Sequence, residues 1–222
     1  MTHMIKHAGK RLRAALPLAA MAAMAATALA LTACASAPPE HFYSLSNGMG
    51  VAPGAAGEVR NAVVPATYYI ELPAVTVPQQ VARNQLVVTT GAGRVDLLEQ
   101  ERWAASPASE IGQALSLAIS GELATIDVFR TPTPEQAPVY RISTNVQRFE
   151  SAPGQYALID AVWSVRLVGS PKVLTCRSVV NETVGAGYDA LVAGHRRAVA
   201  RIAAEMSKAV RGLAAGGSAG CP

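Results

Sequence analysis

Period-two alternation over residues 140–180 constrains this chain more than any other feature. Tyr140, Ile142, Thr144 and Val146 alternate with Arg141, Ser143, Asn145 and Gln147. Ala157, Ile159, Ala161, Trp163, Val165 and Leu167 alternate with Leu158, Asp160, Val162, Ser164 and Arg166. Leu174, Cys176, Ser178 and Val180 alternate with Thr175, Arg177 and Val179. Side chains of a strand point to opposite faces, so such runs predict strands with one covered face. Pro153-Gly154 and Gly169-Ser170-Pro171 mark the turns and make the three an antiparallel meander. Phe149 falls on the wrong parity, which predicts a bulge near Gln147 or Arg148.

Upstream, Thr67–Leu72 reads as a strand ended by Pro73, and Val75–Pro78 as an extended strand end. Leu86–Thr90 and Arg94–Leu98 flank Gly91-Ala92-Gly93, a hairpin with glycine at its turn. Ile126–Arg130 reads as a further strand, broken by Thr131-Pro132-Thr133-Pro134.

Two segments carry helical spacing. A helix begins at Ser106 or Ser109, where Ser106-Pro107 supplies an N-cap and a first-turn proline, with Glu110 near the positive end of the dipole. Ile111, Leu115, Ala118, Ile119 and Leu123 then share one face as far as Ala124. The second helix runs from about Asp189 to Leu213, with Leu191, His195, Ala198, Ile202, Met206 and Val210 as its stripe and Gly216-Gly217 as its stop. Strands, a helix, further strands and a helix make an α+β fold: a two-layer sandwich, a mostly antiparallel sheet with two helices on one face.

The N-terminus has a different character. Lys6, Lys10, Arg11 and Arg13 precede an apolar run from Ala14 to Ala30, which leads into Leu31-Thr32-Ala33-Cys34. A charged head, an apolar middle and small residues before the cut make a secretory signal, residues 1–33. The chain has 222 residues and a net charge of +4, with 19 Lys+Arg against 15 Asp+Glu. The four basic residues before Cys34 account for the whole excess. The mature body is therefore charge-balanced, and the composition gives no argument for nucleic-acid binding. Residues 34–66, rich in Ala, Pro, Gly and Ser, read as a tether interrupted by Phe42-Tyr43-Ser44-Leu45, a segment suited to an added edge strand. Residues 67–214 are the domain, and 215–222 a flexible tail.

Cysteines 176 and 221 lie in an oxidising compartment if the signal acts. A bridge between them would close a loop of about 45 residues. A buried strand thiol and a separate thiol in a frayed tail is the other reading, and both stay open here.

Catalysis needs convergent polar groups, and the pattern does not supply them. His195 falls on the apolar stripe and reads as a core histidine, with no nucleophile marked for it. No clustered ligands indicate a metal, and the lone Gly-x-Gly turns lack the surroundings of a phosphate cradle. No enzyme activity and no cofactor are expected. The polar-aromatic cluster Glu99, Glu101, Arg102 and Trp103 precedes the first helix. Trp103 either staples that helix to the sheet or, with Arg102, forms a partner-facing anchor.

Leu31-Thr32-Ala33-Cys34 resembles the lipobox of bacterial lipoproteins, which implies lipidation of Cys34. With Phe42-Tyr43-Ser44-Leu45, Ile70-Glu71-Leu72-Pro73, Arg83-Asn84-Gln85-Leu86-Val87 and Glu101-Arg102-Trp103-Ala104, the chain resembles the ABC-type transport auxiliary lipoproteins (PqiC-like). The resemblance implies a non-catalytic lipoprotein held by Cys34 in the outer membrane and facing the periplasm, since Ala35 is not the aspartate that retains many lipoproteins in the inner membrane. It implies a lipid cargo and a mammalian-cell-entry (MCE) type periplasmic protein as partner, docked by this domain; self-association into an oligomer is compatible with it. The alternative is a carrier with a pocket for an acyl chain. Aromatics at 5% and alanine-rich helices leave little volume for one, which favours docking.

Overall fold

The computed structural model describes residues 38–49, 67–132, 136–217 and 220–222. The signal segment and Cys34 lie outside the described residues. From Glu40 to Pro222 the chain is one compact unit; of residues 1–39, only Pro38 and Pro39 are described, and both are exposed.

In chain order the unit contains β1 (His41–Tyr43), β2 (Tyr69–Glu71), a 3-10 turn (Gln79–Val81), β3 (Gln85–Gly91), β4 (Arg94–Trp103), α1 (Pro107–Leu123), β5 (Val139–Ala152), β6 (Tyr156–Leu167), β7 (Leu174–Thr183) and α2 (Tyr188–Ala214). It is an α+β sandwich, as the pattern predicts. The strands are divided between two sheets, however, in the orders β1-β4-β3 and β2-β5-β6-β7. Each sheet gains a parallel strand, because β1 pairs with β4 and β2 with β5. Both are three-residue strands reached by long connections, and long connections are what parallel pairing requires.

The meander follows the alternation. Ile142 faces Val165 and Thr144 faces Trp163, and the register shifts between Val146 and Arg148. That bulge returns Phe149 to the face of Val146, so the core stripe continues despite the parity change. The hairpin β3–β4 turns at Gly93, whose φ of +74° is a backbone state side chains disfavour.

Helix α1 begins where the local chemistry demands. The Ser106 side chain accepts the Ser109 N–H, and Pro107 occupies the first turn. It stops at Ala124 in the left-handed region. Helix α2 lies on β5, β6 and β7, and α1 packs against α2. Leu191, Ala198, Ile202, Met206 and Val210 are buried in that layer.

Three boundaries differ from the sequence reading. First, Ile126–Arg130 is not a strand. Ile70 exchanges backbone hydrogen bonds with Ile126 and Val128, but the Asp127 carboxylate accepts the Leu72 and Phe129 N–H groups and the Ser116 hydroxyl. A side chain that captures its own i+2 amide turns the chain. Second, residues 40–49 belong to the folded unit and not to a tether. Third, the tail is tied down, because Cys176 and Cys221 are joined with sulfurs 2.06 Å apart.

Candidate functional site

The cluster Glu99–Trp103 is the strip onto which the N-terminal segment is laid. β1 runs parallel to the end of β4, with His41 opposite Glu101, Phe42 opposite Arg102 and Tyr43 opposite Trp103. The Ala104 N–H closes the pairing on the Tyr43 carbonyl at 2.7 Å. Tyr43 donates its hydroxyl to Glu101 at 2.6 Å, and His41 Nδ1 lies 2.9 Å from the other Glu101 oxygen. Burial acts to raise the Glu101 carboxyl, but the hydrogen bonds from Tyr43 and His41 together outweigh it and hold the group below its ordinary value. The Tyr43 phenol is pushed up, first by burial and then by that carboxylate.

Beyond β1 the chain is clamped a second time. Leu45 is fully buried. Its N–H donates to Glu110 Oε2 at 2.7 Å, and the Ser44 hydroxyl donates to the same oxygen at 3.0 Å. From the other side, Arg196 on α2 donates Nε and Nη2 to the Ser44 carbonyl at 2.9 and 2.6 Å. One carboxylate from α1 and one guanidinium from α2 thus hold both polar ends of one peptide stretch. Beside this clamp is a cleft of about 680 Å³ lined by Glu40, His41, Asn47, Glu101, Asp189 and Arg196, among others.

Trp103 and Arg102 do not form a partner-facing anchor. Trp103 is 2% exposed. It meets Phe149 edge-on at 5.8 Å and His195 at 6.1 Å between ring centroids. Alternation loses its meaning at a strand end that turns into a helix, so the sequence could not say whether this ring faced in or out. Arg102 lies on the surface and pairs with Glu40 at 3.0 Å, so it serves the clamp.

His195 is wholly buried and stacks on Phe149 at 4.2 Å. It has a partner that the sequence did not reveal: its Nε2 lies 2.8 Å from Ser151 Oγ. Burial lowers its pKa to about 3, so the ring is neutral. Nδ1 meets no partner among the described residues, and a neutral ring that donates from Nε2 leaves only a lone pair there. A serine–histidine couple without an orienting group and sealed from solvent reads as core structure, not as a nucleophile. Trp163 is satisfied through Ser178, which in turn donates to Glu205.

The opposite end of the four-stranded sheet has another character. There the starts of β2, β5 and β7 meet the end of β6: Tyr69 opposes Val139, Tyr140 opposes Leu167, and Leu174 opposes Val165. Ile126, Phe129, Leu167, Val168 and Val173 at this end are all exposed. Arg130, Arg166 and Lys172 are exposed beside them. Among the described residues none of these three cations is in an ion pair. Also among the described residues, no group of three acidic, histidine or cysteine side chains is placed to hold a metal ion, and no helix is long and apolar enough to cross a membrane.

Among the solved structures that resemble this fold are the following two. One, described as an uncharacterized protein, superposes with a TM-score of 0.60 at 14% identity over 78% of this chain and 99% of that one. The other, protein XCC0632 from Xanthomonas campestris, of the family DUF330, gives a TM-score of 0.51 at 17% identity over 66% of this chain and 85% of that one. No curated protein matches the chain. The family model for the ABC-type transport auxiliary lipoprotein component matches residues 50–207, a span that takes in both sheets except β1, all of α1 and most of α2. The chain belongs to the ABC-type transport auxiliary lipoprotein family.

Proposed function

We propose that this protein is a non-catalytic docking component of a lipid-moving ABC transport system. Cys34 carries the acyl chains, the outer membrane holds them, and the domain receives an MCE-type periplasmic protein. The observation that carries the reading is the end of the sheet formed by Ile126, Phe129, Leu167, Val168 and Val173, exposed apolar side chains beside the exposed cations Arg130, Arg166 and Lys172. Apolar area ringed by polar groups is the usual mark of a protein-binding surface. A partner with apolar side chains ringed by acids fits it.

A lipid carrier would need an enclosed apolar cavity. Two clefts among the described residues are open to solvent and lined in part by polar groups. One, of about 680 Å³, sets Glu40, Glu101, Asp189, His41 and Arg196 beside Phe42 and Tyr43; the other, of about 420 Å³, mixes Val81, Val87, Val95 and Phe149 with Gln80, Arg94 and Glu150.

The test is capture of the MCE-type protein of the same host by the mature domain. Phe129→Glu with Val173→Glu should abolish capture while leaving the circular dichroism spectrum unchanged. Capture that survives the double substitution moves the interface elsewhere. Capture by neither form, with a lipid co-purifying one to one, replaces docking with carriage.

A further inference from the structure

We infer that the β1 end of this domain is a bilayer-facing surface, with Phe42 at the lipid interface and the apolar end of the four-stranded sheet turned outward. The inference rests on acylation of Cys34 and deepens the reading above by giving the domain an orientation.

The argument is one of chain length. Thirty residues of tether would let the domain tumble freely. The folded unit begins at Glu40, so only residues 35–40 separate the proposed anchor from β1. Six residues span at most about 20–25 Å when fully extended. Residues 41–49 add nothing to that reach, because β1 is paired, Leu45 is buried, and Glu110 and Arg196 grip the segment between them. The leash is shorter than the domain: β6, with twelve residues, is about 40 Å long, and α2, with twenty-seven, is also about 40 Å.

The same chain direction separates the two ends. Tyr188 and Asp189, at the start of α2, line the cleft beside β1. Arg211, near the end of α2, lies by Glu122 at the end of α1. Leu167 ends β6 and Val173 immediately precedes β7, strands whose other ends, Tyr156 and Thr183, are paired on the side of the start of α2. The root of the leash carries Phe42, 61% exposed and the most exposed large apolar side chain among the described residues. Aromatic rings settle at the membrane–water boundary, and a short leash places this one there. Of the acids nearby, Glu40 is paired with Arg102 and Glu101 is bonded to Tyr43 and His41, which leaves Asp189 as the exposed acid of the cleft.

The test uses the full-length acylated protein in vesicles of phosphatidylethanolamine and phosphatidylglycerol, three to one. Cys34 is blocked by lipid, and Cys176 and Cys221 by each other, so an introduced cysteine is the thiol a fluorophore labels. A label at Phe42→Cys should be quenched several-fold by lipids brominated near the headgroup, and a label at Val173→Cys should not be quenched. Twelve Gly/Ser residues inserted between Pro39 and Glu40 should at least halve the quenching at position 42, while the protein still floats with the vesicles. Equal quenching at both positions, or quenching indifferent to the insertion, overturns the orientation and leaves the anchor standing. Protein that fails to float overturns the anchor, and the orientation with it.

Discussion

Glu110, in the first turn of α1, accepts the backbone N–H of Leu45 at 2.7 Å across 65 positions of sequence. This bond makes an N-terminal stretch of tether-like composition part of the domain. The carboxylate is nearly buried, and its place near the helix N-terminus suits its charge.

Glu110→Ala should free the segment. Two donors lose a charged acceptor, and a bond of that kind contributes about 1.5–3 kcal/mol. Amide exchange at Leu45 and Ser46 is expected to quicken sharply, with exchange in β5 and β6 unchanged. Uniformly faster exchange throughout the molecule would mean that Glu110 supports the whole core.

His195 makes stability depend on pH. Its folded pKa, about 3, lies below the ordinary 6.5, so the unfolded chain binds the proton more tightly. The stabilisation is fully present above about pH 6.5 and is lost as pH falls from there toward 3. Denaturant midpoints should therefore drop steadily between pH 6.5 and 5, above the range in which the lowered carboxyls of Glu101, Asp160 and Glu182 begin to protonate. His195→Gln should flatten that interval. An unchanged slope in the variant would assign the effect to other groups.

Gly194 is a close approach of α2 to β6 and to the residue after β7. A Cβ there would fall well inside contact distance of Val184 Cγ1 and tight against Ala157 Cβ at 3.1 Å. Gly194→Ala should destabilise the fold by about 1–3 kcal/mol despite alanine's better helix propensity. Thermal unfolding decides between the two: a rise in midpoint would show that the helix shifts without strain.

Cys176–Cys221 closes a loop of 45 residues that contains all of α2. Chain-entropy reasoning for such a loop gives about 4 kcal/mol, and native disulfides commonly contribute about 2–4. Cys221→Ser, or reductant with the unchanged chain, should lower stability by that order. If neither lowers it, the last residues exert no constraint on the fold.

Residues 139–183 were legible because the three strands pair with one another in sequence order and keep a covered face, so the alternation survives intact. Even the bulge between Val146 and Arg148 shows in the parity of Phe149. The helices were legible for the same local reasons, Ser106-Pro107 at one start and Gly216-Gly217 past the other stop. Ile126–Arg130 was misread because β-branched and aromatic composition says nothing of Asp127, whose carboxylate turns the chain.

Local periodicity thus determined the strands, the helices and their apolar faces, since those depend on near neighbours along the chain. The charge-balanced body and the Leu-Thr-Ala-Cys segment were equally matters of sequence. The tertiary structure alone decided that β1 and β2 pair in parallel, that Trp103 faces inward, that His195 meets Ser151, and that residues 41–49 are gripped by Glu110 and Arg196. Each of these joins groups more than forty positions apart. Which of them meet depends on how the layers close over the core, and no local pattern carries that information.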